Sequence, residues 1–113
     1  MFDKNLLIKP SVTIKDALKQ FGKAGKGCLI VVDENHRLLG ALTDGDLRRG
    51  ILKGKNINSS VTSLYKKKPF FLVKGKFQTN DVKNFLNENS DLNLIPIIDR
   101  NNYVVDFITP KKV

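Results

Sequence analysis

The segment Gly40-Ala41-Leu42-Thr43-Asp44-Gly45-Asp46-Leu47-Arg48-Arg49-Gly50 gathers an unusual amount of chemistry into one short stretch. An apolar run ends in Thr43, and two carboxylates and two arginines follow at once. That order predicts a strand handing over to a helix, Leu47 to Leu52, opened by Asp44-Gly45-Asp46 and ended at Gly54. Backbone N–H groups in the first turn of a helix lack partners and carry partial positive charge, so they receive anions. Thr43 adds a hydroxyl, and Asp46 adds two acceptors that suit a ribose diol. With the helix start, they could hold the two polar ends of a nucleotide. The competing account is local: Thr43 or Asp44 caps the helix, and Asp46 complements its dipole. Arg48 and Arg49 stand where they could meet a phosphate or pair with carboxylates across a dimer interface.

The elements that must position this segment can be read from periodicity. Leu6-Leu7-Ile8, stopped by Lys9-Pro10, predicts a brief strand. Thr13 with Asp16 three residues on has capping-box spacing, and Ile14, Ala17, Leu18 and Phe21 share one helical face. Gly22, Gly25 and Gly27 end that helix. Cys28 to Val32 is continuously apolar, as in a strand covered on both faces, and Leu38 to Thr43 is a second strand after a DENHR turn. The second half repeats this order. A strand is predicted at Phe70 to Val73, a helix at Asp81 to Glu88, a strand at Leu94 to Ile98 interrupted by Pro96, and a last strand at Tyr103 to Thr109.

Cys28 to Thr43 overlays Leu94 to Thr109 at a constant offset of 66, placing Asp33 over Asp99, Asn35 over Asn101 and Thr43 over Thr109. The preceding helices overlay at 65, with Asp16 over Asp81. Two copies of a unit of roughly 60 residues predict a pseudo-twofold pair.

On these residues the chain resembles the cystathionine-β-synthase (CBS) domain, and two in tandem would form the pair called a Bateman module. The most specific parts are apolar-apolar-Asp-x-Asn-x-x-apolar-apolar-Gly from Val31 to Gly40, and the Thr43-x-x-Asp46 signature. The resemblance implies a mixed α+β (α/β-like) fold of two β-α-β-β-α motifs, residues 1–60 and 61–113, the second without its last helix. It implies an adenosine nucleotide, AMP, ADP or ATP, as a regulatory ligand in the cleft between the motifs. Asp46 would hold the ribose hydroxyls, Thr43 would contact the phosphate side, and Gly45 lies between them. The base pocket would come from the second motif: Phe71 and Leu72, then Leu92, Asn93 and Leu94, and Phe107. Plain core packing is the competing account for Phe71, Leu72, Leu94 and Phe107. Arg48 and Arg49 are candidate phosphate contacts.

The second motif departs from the pattern. Asp106 replaces Gly40, Lys112 replaces Asp46, and Pro110 follows Thr109. A lysine cannot accept from a ribose diol, so a second cleft near Leu7, Gly27, Ala41 and Thr109 is expected to stand empty, unless Lys112 holds a phosphate as a point charge. The string TDGDLRR resembles CBS pairs attached to arabinose 5-phosphate isomerases and sugar-phosphate nucleotidyltransferases. The pair follows the isomerases and precedes the nucleotidyltransferases. Met1 shortly before the first strand favours the latter, with Thr109 to Val113 as the start of a linker to a C-terminal enzyme domain. The alternative is a ligand-free dimerisation module, supported by the degenerate second motif and by small, apolar helix faces around Ala17 and Ile51. A homodimer is expected in either case.

Composition narrows the classes further. The chain has 113 residues, 20 Lys+Arg against 11 Asp+Glu, and a formal net charge of +9, which favours an anionic partner. One cysteine and one histidine leave neither a disulfide framework nor a convincing metal or triad cluster, and no catalytic residue is expected in this chain. A reducing cytoplasm fits that cysteine usage. No apolar run is long enough to span a membrane. Lys66-Lys67-Lys68 is a basic run without interleaved stacking aromatics, so nucleic-acid binding is not expected.

Overall fold

The computed structural model describes residues 4–25, 27–89 and 94–109. A 3-10 turn at Lys4–Leu6 leads into strand β1 (Leu7–Ile8), helix α1 (Ile14–Ala24), strands β2 (Cys28–Val32) and β3 (Leu38–Thr43), and helix α2 (Asp44–Leu52). Strand β4 (Leu72–Val73), helix α3 (Thr79–Glu88), and strands β5 (Ile95–Ile98) and β6 (Val104–Ile108) repeat the order. Each half is a three-stranded sheet in chain order, with one parallel pair and one antiparallel pair.

Local chemistry sets the helix ends. Thr13 accepts from the Asp16 N–H at 3.1 Å, and Gly25 closes α1 at φ 67°, its N–H donating to the Phe21 carbonyl. Only a residue without a Cβ adopts that left-handed cap cheaply. The α1 stripe that enters the core is Ile14, Ala17 and Ala24, with Phe21 partly buried, while Leu18 lies at its exposed flank.

The repeat holds in three dimensions. Leu29 pairs with Leu42 and Ile95 with Ile108, and the pairs of Ile30, Val31 and Val32 recur 66 positions on, as does the bulge after Val31 and after Ile97. The positive-φ turn residues His36 (65°) and Asn102 (72°) obey the same offset. The two hairpin turns meet across the pseudo-twofold. Leu38 N–H donates to the Asn102 carbonyl and Val104 N–H to the His36 carbonyl, which are symmetry-equivalent bonds. Arg37 bridges its own counterpart Tyr103, with the guanidinium 5.4 Å from the ring centroid.

The departures from the sequence expectation have local causes. β4 begins at Leu72 rather than Phe70, leaving Phe70 and Phe71 exposed. In the first half Leu7 pairs with Ile30; the equivalent partner of Phe71 is Pro96, which has no N–H to give. α2 begins at Asp44, three residues earlier than expected, because Thr43 caps it directly. Ala17, on a helix face offered for dimerisation, is fully buried within the chain. Among the described residues no helix follows β6. The two halves share one main core, in which Leu94, Ile98, Val104 and Phe107 join the first-half residues.

Candidate functional site

At the C-terminal end of β3, Thr43 pairs with Cys28 and passes directly into α2. The Thr43 hydroxyl accepts from the Asp46 N–H at 3.1 Å, and one Asp46 oxygen accepts from the Thr43 N–H at 2.9 Å, a complete capping box. The local account of this segment is therefore realised. It does not use up the carboxylate, which offers about four lone-pair sites. The other Asp46 oxygen accepts from Arg49 Nη2 at 2.7 Å. Arg48 instead reaches Asp44 at 3.7 Å, both side chains exposed.

Thr43, Asp44, Asp46 and Arg49 line one wall of a cleft of about 440 Å³, a volume in the range of small-molecule sites. Its polar end holds Thr43, Asp44, Gly45, Asp46 and Arg49. Its apolar side is built by Ala41 and Cys28 from the first sheet, and by Pro69, Phe70, Leu94 and Pro96 from the second half. Lys66 completes the rim; its backbone pairs with Ala41 in both directions, N···O 2.8 and 3.1 Å, carrying the inter-motif segment alongside β3. That approach requires a glycine at position 40: a Cβ there would collide with the Lys66 carbonyl and lie 2.5 Å from the Tyr65 ring.

Of the residues expected at the site, Thr43, Gly45, Asp46, Arg49 and Leu94 line this cleft. Arg48 does not. Phe71 is exposed outside the lining, and its neighbour Phe70 stands in the cleft. Leu72 lines a separate, apolar hollow of about 320 Å³ beside α3 with Phe77 and Val82, and Phe70 borders both. Phe107 is buried in the core, on β6 opposite Pro96 of β5. Leu92 and Asn93 lie outside the described residues, as do Pro110 and Lys112. Thr109, expected at a second cleft with Leu7, Gly27 and Ala41, is buried. Ala41 faces the first cleft, the Gly27 carbonyl accepts from the Asp44 N–H at 3.3 Å, and Leu7 borders a different hollow, near Lys9 and Gln20.

Reading the sequence alone misses Cys28, Ala41, Lys66, Pro69, Phe70 and Pro96. Cys28 had a usable signal, since the hairpin register sets it opposite Thr43; Lys66 had none, because a non-local bridge brings it there. The Cys28 thiol is pushed up to about 12, first by burial and then by the Asp46 and Asp44 charges. It stays protonated and offers the cleft a small apolar surface. Among the described residues no group of three or more His, Cys, Asp or Glu could hold a metal ion. No helix there is long and apolar enough to cross a membrane.

A CBS-domain family model matches residues 1–53. An uncharacterised protein of Helicobacter pylori is 43% identical over 63 residues, 56% of this chain and 19% of that protein. An uncharacterised 17.7 kDa protein of Acidianus ambivalens is 30% identical over 100 residues, 87% of this chain and 58% of that protein. Arabinose 5-phosphate isomerase GutQ of Salmonella typhi is 35% identical over 52 residues, 46% of this chain and 16% of that protein. The matched region is thus about a fifth of the Helicobacter relative's length. Among solved structures, the CBS-pair protein CBSX2 from Arabidopsis thaliana superposes with TM-score 0.80 at 24% identity, covering 96% of this chain and 83% of its own. CBSX2 in complex with AMP superposes with TM-score 0.78 at 23% identity, covering 94% and 82%. Residues 1–53 thus match the CBS domain itself, and the chain as a whole has the fold of a CBS-domain pair.

Proposed function

We propose that this chain is a regulatory module that takes one adenosine nucleotide in the Asp46 cleft and controls an attached sugar-phosphate enzyme. The observation that carries the reading is the union of two unlike surfaces in one cleft. The capped start of α2, with Thr43, Gly45 and Asp46, faces an apolar side drawn largely from the other half of the chain. A nucleotide has the same division, with a polar ribose phosphate and a flat base. Leu94, Pro96 and Phe70 would pack the base, Asp46 would accept from the ribose diol, and Arg49 would meet the phosphate. Strand backbone groups would read the base edge. Support comes from CBSX2, which shares this fold and has been solved in complex with AMP.

Further parts of the reading rest on resemblance. The motifs divide as residues 1–60 and 61–113, the module works as a homodimer in the cytoplasm, and catalysis belongs to the attached enzyme. The string TDGDLRR resembles CBS pairs of both sugar-phosphate nucleotidyltransferases, the first reading, and arabinose 5-phosphate isomerases, the second, and the match to GutQ favours the second.

Isothermal titration with AMP, ADP, ATP and GMP tests the module itself. Binding of adenosine nucleotides at one site per chain is expected, with loss of binding in Asp46→Ala. No heat with any nucleotide would overturn the sensor and leave the dimerisation module. Two adenosine-nucleotide sites per chain would overturn the single-cleft assignment.

A further inference from the structure

The Arg49 guanidinium stands against both the Asp46 carboxylate and the first turn of α2. It donates to Asp46 at 2.7 Å, on the oxygen that the capping box leaves open. It also lies over the first turn of α2: a Cβ built on Gly45 would sit 3.4 Å from Nη1 and 3.9 Å from Nη2. That is the face from which an anion approaches the positive end of the helix, where the Asp44 N–H is held by the Gly27 carbonyl and the Asp46 N–H by the Thr43 hydroxyl. The partners differ in freedom. The Asp46 side chain is 18% exposed and held by its cap, whereas the Arg49 side chain is 66% exposed. An arginine in that setting can leave its carboxylate at little cost, since exposed ion pairs contribute little.

We infer that Arg49 is a phosphate-operated latch on Asp46, and that it makes the cleft discriminate phosphorylated adenosine from adenosine. Resting on the nucleotide reading above, the inference adds how the site selects its ligand class. A ribose diol that takes both hydroxyls to the Asp46 carboxylate meets Arg49 on one of its two oxygens. A nucleoside displaces the guanidinium and returns nothing to it. A nucleotide carries its own phosphate to the start of α2, where Arg49 can transfer from the carboxylate to the phosphate oxygens, forming a charge-assisted pair as it releases the diol acceptor. Arg48 serves as the internal control, because it stands on the same helix turn, is already paired with Asp44 and lies outside the cleft lining.

Titration calorimetry of AMP and adenosine against the wild-type chain, Arg49→Gln, Arg49→Lys and Arg48→Gln tests this. Wild type is expected to bind AMP about tenfold or more tighter than adenosine, the worth of a hydrogen bond between charged groups. Arg49→Gln should weaken AMP while leaving adenosine equal or tighter, so that the preference collapses. Arg49→Lys should restore part of it, and Arg48→Gln should leave it intact. Thermal midpoints of the unliganded variants within a few degrees of wild type would show that the fold is kept; a variant that fails to fold is replaced by Arg49→Met under the same readout. Weakening of both ligands alike in Arg49→Gln, or an unchanged preference, overturns the latch while leaving the nucleotide reading in place. Absence of binding by wild type overturns both.

Discussion

Asp46 holds the Thr43 N–H with one carboxylate oxygen and the Arg49 guanidinium with the other, so one side chain is both helix cap and polar end of the cleft. A cap at Thr43 or Asp44 was legible in the sequence because its logic is local; the choice of Thr43 and the bond returned to it by Asp46 come from the structure. The partner of Arg49 was not legible, because rotamer choice between a neighbouring carboxylate and an incoming anion depends on the packed surroundings. Cys28 extends the residue scale into a measurable pH effect. Its pKa rises from 9.0 to about 12 on folding, so between these values the folded chain keeps a proton that the unfolded chain has lost. The stability this contributes is intact below about pH 9 and falls as pH rises towards 12. Denaturant midpoints measured from pH 8 to 11 should fall more steeply for wild type than for Cys28→Ala. Parallel slopes would show that the thiol titrates normally.

At the scale of elements, the hairpins and helices follow their apolar periods, and the errors gather where another element intervenes. β4 begins only at Leu72, since the position opposite Phe71 is Pro96, which has no N–H, and α3 begins at Thr79 without a side-chain bond from Gln78. The inter-motif segment shows the same dependence. Lys66 and Tyr65 lie against β3 only because Gly40 has no side chain, and Asp106 at the equivalent place in β6 marks where the repeat gave up that requirement. Gly40→Ala should therefore cost about 1–3 kcal/mol or more, the range for overpacking, because a backbone carbonyl must move. Gly50→Ala is the contrast. Its Cβ would press on the Leu64 methyls at 2.8 and 2.9 Å, which a flexible side chain can relieve, so a smaller loss is expected. Urea unfolding of both variants checks the order, and equal losses would contradict the backbone collision.

At the scale of the whole molecule, the halves join through the reciprocal hairpin-turn bonds, the Arg37–Tyr103 contact and a shared core. The helices of the first half leave Leu18, Ile51 and Leu52 exposed, Leu52 at 78%. Exposed leucines on adjoining helices are more costly to leave in water than to pair, which supports the proposed homodimer. Sedimentation should give a dimer for wild type and a shift towards monomer for Leu52→Glu. A wild-type monomer at working concentration would remove the proposal. The net charge of +9 bears on the ligand only through its placement: Arg49 and Lys66 stand at the cleft, while Arg48 is spent on Asp44.

What the sequence determined by itself was whatever repeats or acts over a few residues. It set the strand and helix order, the 66-residue register of the two hairpins, and a capped strand-to-helix junction at Thr43 or Asp44. Each depends on side-chain period or on hydrogen bonds that close within one turn. Only the tertiary structure decided that Phe70 rather than Phe71 faces the cleft, that Lys66 reaches its rim, and that Arg49 rests on Asp46. A one-residue change in where a strand begins alters which side chain faces a ligand, and no local pattern encodes the bridge from Lys66 to Ala41. The distinction is physical: local contacts are specified by neighbours in the chain, whereas a cleft is specified by segments that become neighbours only after the core has formed.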